Sequence, residues 1–186
     1  MKNRQVTIEE YENSSGTYTI TINNARYQKC FMNSIEKVLK SFLAEGELFF
    51  GFYRTDGINL TLQQQKELEK VIPEFFQRYG DIKNLNEYLS AAKINSSDVI
   101  YNFIPSIFDY YLETILFNPK VDWVTFRQYH YDYQKHRLDE IIINNFADVL
   151  FFYSDSGDFS ICFNTEKYDH GEIRNLIEKA FFGKVN

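Results

Sequence analysis

Residues 127–136 hold the densest group of side chains that could do chemistry. Within this segment His130, Asp132 and His136 could form a catalytic centre, because a carboxylate can orient an imidazole that acts as a general base. The same three side chains could also ligate a metal ion. Asp132 and His136 lie one turn apart if the segment is helical, with Glu140 one turn further, whereas an extended segment places His130 and Asp132 on one face. The spacing matches no recognised zinc motif. An enzyme with its centre at these residues is therefore the second hypothesis, after a binding protein.

The tyrosines of the same segment favour a contact surface over a catalytic centre. In an extended segment one face carries a basic residue and three alternating tyrosines, namely Arg127, Tyr129, Tyr131 and Tyr133. Tyrosine and arginine contribute a large share of the binding energy at protein interfaces. One core face cannot satisfy three tyrosine hydroxyls beside Arg127, so we expect at least two of the three tyrosines to expose them.

Carboxylates are concentrated toward the C-terminus. The net charge is −6, and residues 121–186 contribute −4 of it, with 7 basic and 11 acidic side chains. We expect Asp155, Asp158 and Asp169 to form an acidic patch that attracts a partner with a basic surface. The alternative is an ordinary solvated hairpin rim. The acidic balance argues against a nucleic-acid partner, for which a basic face is expected.

Several function classes lack their signatures in these 186 residues. The sequence contains no GxSxG, P-loop, GxGxxG or HExxH motif, and no cofactor or metal is expected. The N-terminus has no apolar signal-peptide region and no stretch is apolar enough for a membrane span, so we expect a cytoplasmic protein without membrane contact. Cys30 and Cys162, which form no CxxC motif, are interpreted as two buried thiols without a disulfide.

Alternation and turn residues predict the strands. An N-terminal hairpin, a single buried strand and a C-terminal hairpin are expected at residues 5–11 with 17–23, at 48–53, and at 149–153 with 159–163. Helical spacing predicts a first helix from about Ala25 to Phe42, with Gly46 at its C-cap, and a final helix through Ile173 and Phe181. Between them we expect helices after Thr61, around 84–92 and from Ser96 or Ser97 through Ile115, whereas residues 121–133 fit a strand or a helix.

This order of elements predicts one α+β domain over residues 1–186. Its largely antiparallel sheet would be built from the N- and C-terminal hairpins, with a helical middle packed on it. In overall profile the chain resembles small acidic cytoplasmic proteins that neutralise a toxin or another effector, such as bacterial immunity proteins and phage-encoded inhibitors. No motif carries this likeness, so no residue role follows from it.

The leading hypothesis is a non-enzymatic binding or inhibitory protein that uses an acidic, tyrosine-rich surface against a protein partner. The alternatives are an enzyme with its centre near residues 130–136 and an oligomeric structural accessory protein. The sequence leaves open whether the chain forms a homo-oligomer.

Overall fold

One antiparallel sheet organises the fold. The computed structural model describes residues 5–13, 16–27, 30–43, 48–53, 82–84, 89–94, 114–129, 138–154 and 156–183. In these ranges eight strands form the sheet in the order β1-β2-β8-β7-β6-β3-β5-β4, and every neighbouring pair is antiparallel. The strands are β1 Thr7–Glu12, β2 Thr17–Asn23, β3 Leu48–Tyr53, β4 Ile82–Asn84, β5 Leu89–Ile94, β6 Thr114–Phe117, β7 Val149–Tyr153 and β8 Phe159–Asn164.

The two predicted hairpins are confirmed, and they lie side by side. β2 pairs with β8 from Thr17 opposite Asn164 to Ile22 opposite Phe159, so the N- and C-terminal hairpins form one continuous four-stranded unit. The predicted buried strand at residues 48–53 is also confirmed as β3. The prediction of an α+β architecture with a largely antiparallel sheet therefore holds.

The middle of the chain contributes strands where helices were predicted. The short helix around residues 84–92 is wrong in its described part, because Asn84 ends β4 and residues 89–92 lie in β5, which pairs with both β3 and β4. The helix through Ile115 is wrong at its end, where β6 lies between β3 and β7 with all four of its residues buried. Pairing with distant strands overrides the helix propensity of the alanines and the lysine in β5. The helix predicted after Thr61 lies outside the described residues.

Four helices are described: α1 Phe31–Phe42, α2 Trp123–Gln128, α3 Leu138–Asn145 and α4 His170–Phe182. α1 begins later than predicted, because Ala25–Tyr27 form a separate 3₁₀ turn; it ends before the C-cap residue Leu43. The ambiguous segment at 121–133 is helical in its described part, since α2 begins after Asp122. None of these helices is long and apolar enough to cross a membrane.

The helices cover both faces of the sheet. α1 and α4 pack on one face, where Ile35 and Ile177 join the same buried cluster as Phe151. α2 and α3 pack on the other face, where Phe126 and Phe146 join the cluster that contains Leu150. Because neighbouring residues of a strand point to opposite faces, the central strand β7 supplies both clusters. The sheet therefore separates two apolar cores.

We predict that Gly157→Ala destabilises the fold by about 1–3 kcal/mol. Gly157 is buried in the β7–β8 turn at φ +90°, and a methyl group there would lie 2.7 Å from Cγ of Arg26. The matched control is Gly16→Ala, because Gly16 has φ +68° and open space around it. Backbone strain alone should cost Gly16→Ala about 1 kcal/mol. Urea unfolding of both variants measures the difference, and equal losses would show that the Arg26 contact contributes nothing.

Candidate functional site

α2 presents an exposed surface while its opposite side anchors it. Asp122 caps the helix, with its side chain accepting a hydrogen bond of 2.7 Å from the backbone N–H of Thr125. Trp123 and Phe126 are buried, and the centroids of their rings lie 4.9 Å and 4.8 Å, respectively, from the centroid of the Phe49 ring. The aromatic contacts fix the orientation of a helix that is only six residues long.

The outward side of α2 combines apolar and cationic groups. Val124 is 62% exposed, which is the highest value among the large apolar residues described. Arg127 and Gln128 are exposed on the next turn of the helix. Tyr129, which directly follows the helix, is 37% exposed, and its ring packs edge-on against Phe146 at a centroid distance of 4.9 Å. We call Val124, Arg127, Gln128 and Tyr129 the α2 surface.

The α2 surface contains two of the predicted contact residues, Arg127 and Tyr129. Tyr129 is half exposed, as that interpretation requires. Tyr131 and Tyr133 lie outside the described residues, and so do His130, Asp132 and His136 of the alternative catalytic centre. The expectation about tyrosine hydroxyls and the enzyme interpretation both stay predictions.

Asp158 connects the C-terminal hairpin to the chain that follows β2. Its Oδ1 accepts a hydrogen bond of 2.7 Å from the backbone N–H of Asn24, and its Oδ2 accepts one of 2.6 Å from the hydroxyl of Ser156. The backbone N–H of Arg26 donates to the carbonyl of Gly157 at 3.2 Å. The carboxylate of Asp158 therefore stabilises the junction between the two hairpins.

Asp169 is the N-cap of α4. Its side chain accepts a hydrogen bond of 2.9 Å from the backbone N–H of Glu172, one of the donors that a helix start leaves without an intrahelical partner. Asp158 and Asp169 precede and follow β8, whose six residues span roughly 17 Å at about 3.4 Å per residue. Asp155 lies outside the described residues, so the acidic patch of Asp155, Asp158 and Asp169 stays a prediction.

A charged cluster that the sequence analysis missed links β1 to α4. Oε2 of Glu10 lies 2.9 Å from Nε2 of His170, and its Oε1 forms an ion pair with Nη1 of Arg174 at 2.8 Å. The hydroxyl of Tyr18 donates to Oε2 of Glu10 at 3.3 Å, and the Tyr18 and His170 rings lie 4.3 Å apart. Nε of Arg174 also donates to Glu178 at 3.1 Å. We call Glu10, Tyr18, His170 and Arg174 the Glu10 cluster.

The contacts of the Glu10 cluster are structural, because they hold the edge strand β1 against α4. An imidazole beside a carboxylate has the composition of a general base. Here, however, both oxygens of Glu10 face cationic or hydrogen-bonding groups, and the cluster joins an edge strand to a helix. Two signals could have revealed it. The period of two places Glu10 on the same face as Ile8, and His170 lies one helical turn before Arg174.

A cavity of about 130 Å³ lies where α1, β7 and the segment before α2 meet. Phe42, Val149 and Phe151 are among the apolar residues that line it, and Tyr168 lines it with its phenol ring. Nζ of Lys120 forms an ion pair with Oδ1 of Asp148 at 2.8 Å on the same lining. The two charged groups on the lining are therefore paired with each other.

The cysteines differ from their interpretation in one respect. Cys162 is buried in β8, with its Sγ 4.0 Å from Nδ2 of Asn13. Cys30 is exposed, so the expectation of a buried thiol is wrong for this residue, because it lies in the connection that leads into α1 and contributes to neither core. Within the described ranges, no group of three or more His, Cys, Asp or Glu side chains could hold a metal ion.

We predict that Asp169→Ala lowers the free energy of unfolding by about 1 kcal/mol, because it removes the N-cap acceptor. Asp169→Asn should change it by only a few tenths of a kcal/mol, since an asparagine oxygen accepts the same hydrogen bond. Urea unfolding measures both variants. An equal loss in both would mean that the negative charge, and not the hydrogen bond to Glu172, stabilises α4.

We predict that the protein loses stability at alkaline pH through two tyrosines. Desolvation, reinforced by the Glu10 carboxylate, raises the pKa of Tyr18, and desolvation, reinforced by Asp148, raises the pKa of Tyr168. Because both phenols stay protonated longer in the folded state, their contribution is complete below the ordinary tyrosine pKa of 10.0 and is lost as the pH rises through the raised values.

Replacing Tyr18 and Tyr168 with Phe should therefore reduce the loss of unfolding free energy between about pH 9 and about pH 11. The measurement is urea unfolding of the wild type and the double variant at a series of pH values. The same slope in both proteins would contradict the assignment.

Comparisons with models of protein families, with curated proteins and with solved structures give no match for this chain. A fold class alone does not determine a function. The function is therefore inferred from the surfaces and contacts of this chain.

Proposed function

We propose that the protein is a non-enzymatic binding or inhibitory protein of the cytoplasm, and that it recognises a protein partner through the α2 surface. The observation that carries this proposal is the 62% exposure of Val124 beside Arg127 and Tyr129, on a helix whose other side is anchored in the core. An apolar side chain held in water on a rigid element gains free energy when a partner covers it.

The residue types on the α2 surface support recognition of a protein. Tyrosine and arginine are enriched among the residues that contribute most to binding. The ring of Tyr129 already packs against Phe146, so binding costs it little conformational entropy. We propose Tyr131 and Tyr133 as further contact residues on the ground of their residue type.

The net charge of −6 supports a partner with a basic surface. We propose that Asp155, Asp158 and Asp169 contribute to this attraction together with the charge of the whole chain. Such a field raises the association rate and depends on the ionic strength. This reading fits an immunity-type or inhibitor-type protein, which must capture its partner quickly.

The test is binding of variants to a partner purified with the tagged full-length chain. Tyr129→Ala should weaken binding about tenfold or more, the loss typical of a residue central to an interface. The matched control is Tyr27→Ala, because Tyr27 is 46% exposed but lies in the 3₁₀ turn before α1. Titration calorimetry measures each dissociation constant, and urea unfolding checks that each variant is folded.

A second variant, Val124→Asp, addresses the apolar part of the α2 surface. It should weaken binding at least as much as Tyr129→Ala, because it places a carboxylate in a contact that must lose water. Wild-type affinity in both variants would overturn the α2 surface. A catalytic turnover that disappears in His130→Ala or His136→Ala would instead support the enzyme alternative.

A further inference from the structure

β1 is a long and regular edge strand. Among the described strands only β2 pairs with it, in an unbroken register from Thr7 opposite Asn23 to Glu12 opposite Tyr18. An edge strand directs the backbone N–H and C=O groups of alternate residues away from the sheet. Within the part of the chain that the structure describes, β1 therefore offers a row of donors and acceptors along its length.

The edge lacks most devices that keep edge strands from pairing. Such strands are commonly very short, or contain proline, lysine or a bulge. β1 has six residues without proline or lysine, and its continuous register contains no bulge. What it carries instead is three glutamates, Glu9, Glu10 and Glu12. Glu10 already forms an ion pair with Arg174, whereas Glu9 and Glu12 are exposed on opposite faces.

These carboxylates oppose pairing between two copies of the chain. A full antiparallel overlap of two β1 strands would place Glu9 of one copy opposite Glu10 of the other, twice in each dimer. Like charges directly opposite each other destabilise a strand pair. A segment with lysine or arginine at these positions would have the complementary charge. Tyr11, which is 41% exposed, adds apolar surface that can pack on the stem of a long cationic side chain.

We propose that the outer edge of β1 binds an extended lysine- or arginine-rich segment of a partner protein, which adds a strand to the sheet. Backbone hydrogen bonds supply affinity in this mode, and side chains at alternate positions supply specificity. The inference rests on the proposed function, because it assumes a binding protein with a basic partner. It assigns a second contact surface, since β1 lies at the sheet edge and α2 packs over Phe49 and Phe117.

The test uses a defined probe and the full-length protein. The probe is the acetylated and amidated peptide Lys-Thr-Lys-Val-Lys-Thr-Lys, and a second version is N-methylated at every residue, which removes the backbone donors of both of its edges. NMR titration measures the dissociation constant and locates the affected amides. We expect the unmodified peptide to slow hydrogen exchange at alternate residues of β1, and the N-methylated peptide to have no such effect.

Matched variants separate local pairing from general attraction. Glu9→Lys with Glu12→Lys should weaken peptide binding about tenfold, because cations then oppose cations across the strand pair. The control variant is Glu36→Lys with Glu166→Lys, which changes the net charge by the same amount. Glu36 lies in α1, and Glu166 lies in the turn after β8. It should weaken binding by less than about threefold at physiological salt.

Any of the following outcomes would overturn the proposal: no binding of the unmodified peptide, equal binding of the N-methylated peptide, equal weakening in the control, or protection at residues other than those of β1. Tyr129→Ala should leave peptide binding unchanged. A loss in that variant would also contradict the proposal, because it would place the peptide on the α2 surface. If the α2 variants bind the natural partner like the wild type, the proposed function is contradicted but the peptide result is unaffected. The two proposals can therefore be tested separately.

Discussion

The pairing of β2 with β8 is the contact on which the rest of the structure depends. A single two-stranded hairpin is marginally stable in water, and three or more strands with an apolar face are needed for stability. The six residue pairs between these strands join two hairpins that are far apart in the sequence. Their register places Ile20 beside Ile161, so the apolar residues of both hairpins face α1 and α4. A slip of one residue would turn all of β2 to the wrong face.

The same register determines what each edge of the sheet can do. Since β2 is occupied by β8 on one side, β1 on its other side becomes the edge, and its inward residue Glu10 reaches α4. β6 and β3 extend the sheet in the opposite direction and provide Phe117 and Phe49 as the surface on which α2 packs. One proposed contact surface is thus an edge of the sheet, and the other lies on a helix that packs on a different region of the same sheet.

The sequence predicts those parts of the fold whose signals are local. Alternation around a turn locates both hairpins, and apolar spacing locates α1 and α4. β5 escapes prediction because Leu89–Ile94 has the composition of a helix surface and becomes a strand only between β3 and β4. β6 escapes because a strand buried on both faces is a short apolar run that also fits a helix.

The candidate sites divide in the same way. Arg127 and Tyr129 are exposed, as polar residue types usually are. The Glu10 cluster, in contrast, joins residues 160 positions apart and therefore has no local signal in the sequence. The role of Asp169 was readable, because Glu172 three residues later completes the pattern of a helix start. Composition alone, in contrast, does not distinguish such a capping carboxylate from an ordinary surface charge.

The order of β2 and β8 along the chain has a consequence for synthesis in the cell. β2 ends at Asn23, and its partner β8 begins only at Phe159. At about 5–20 residues per second, a ribosome needs roughly 7–27 seconds to make the intervening chain. Throughout that interval the nascent N-terminal hairpin has an apolar face and an unpaired edge. Chaperone binding to the first 23 residues is therefore most useful during translation and is no longer needed once the C-terminal hairpin has emerged.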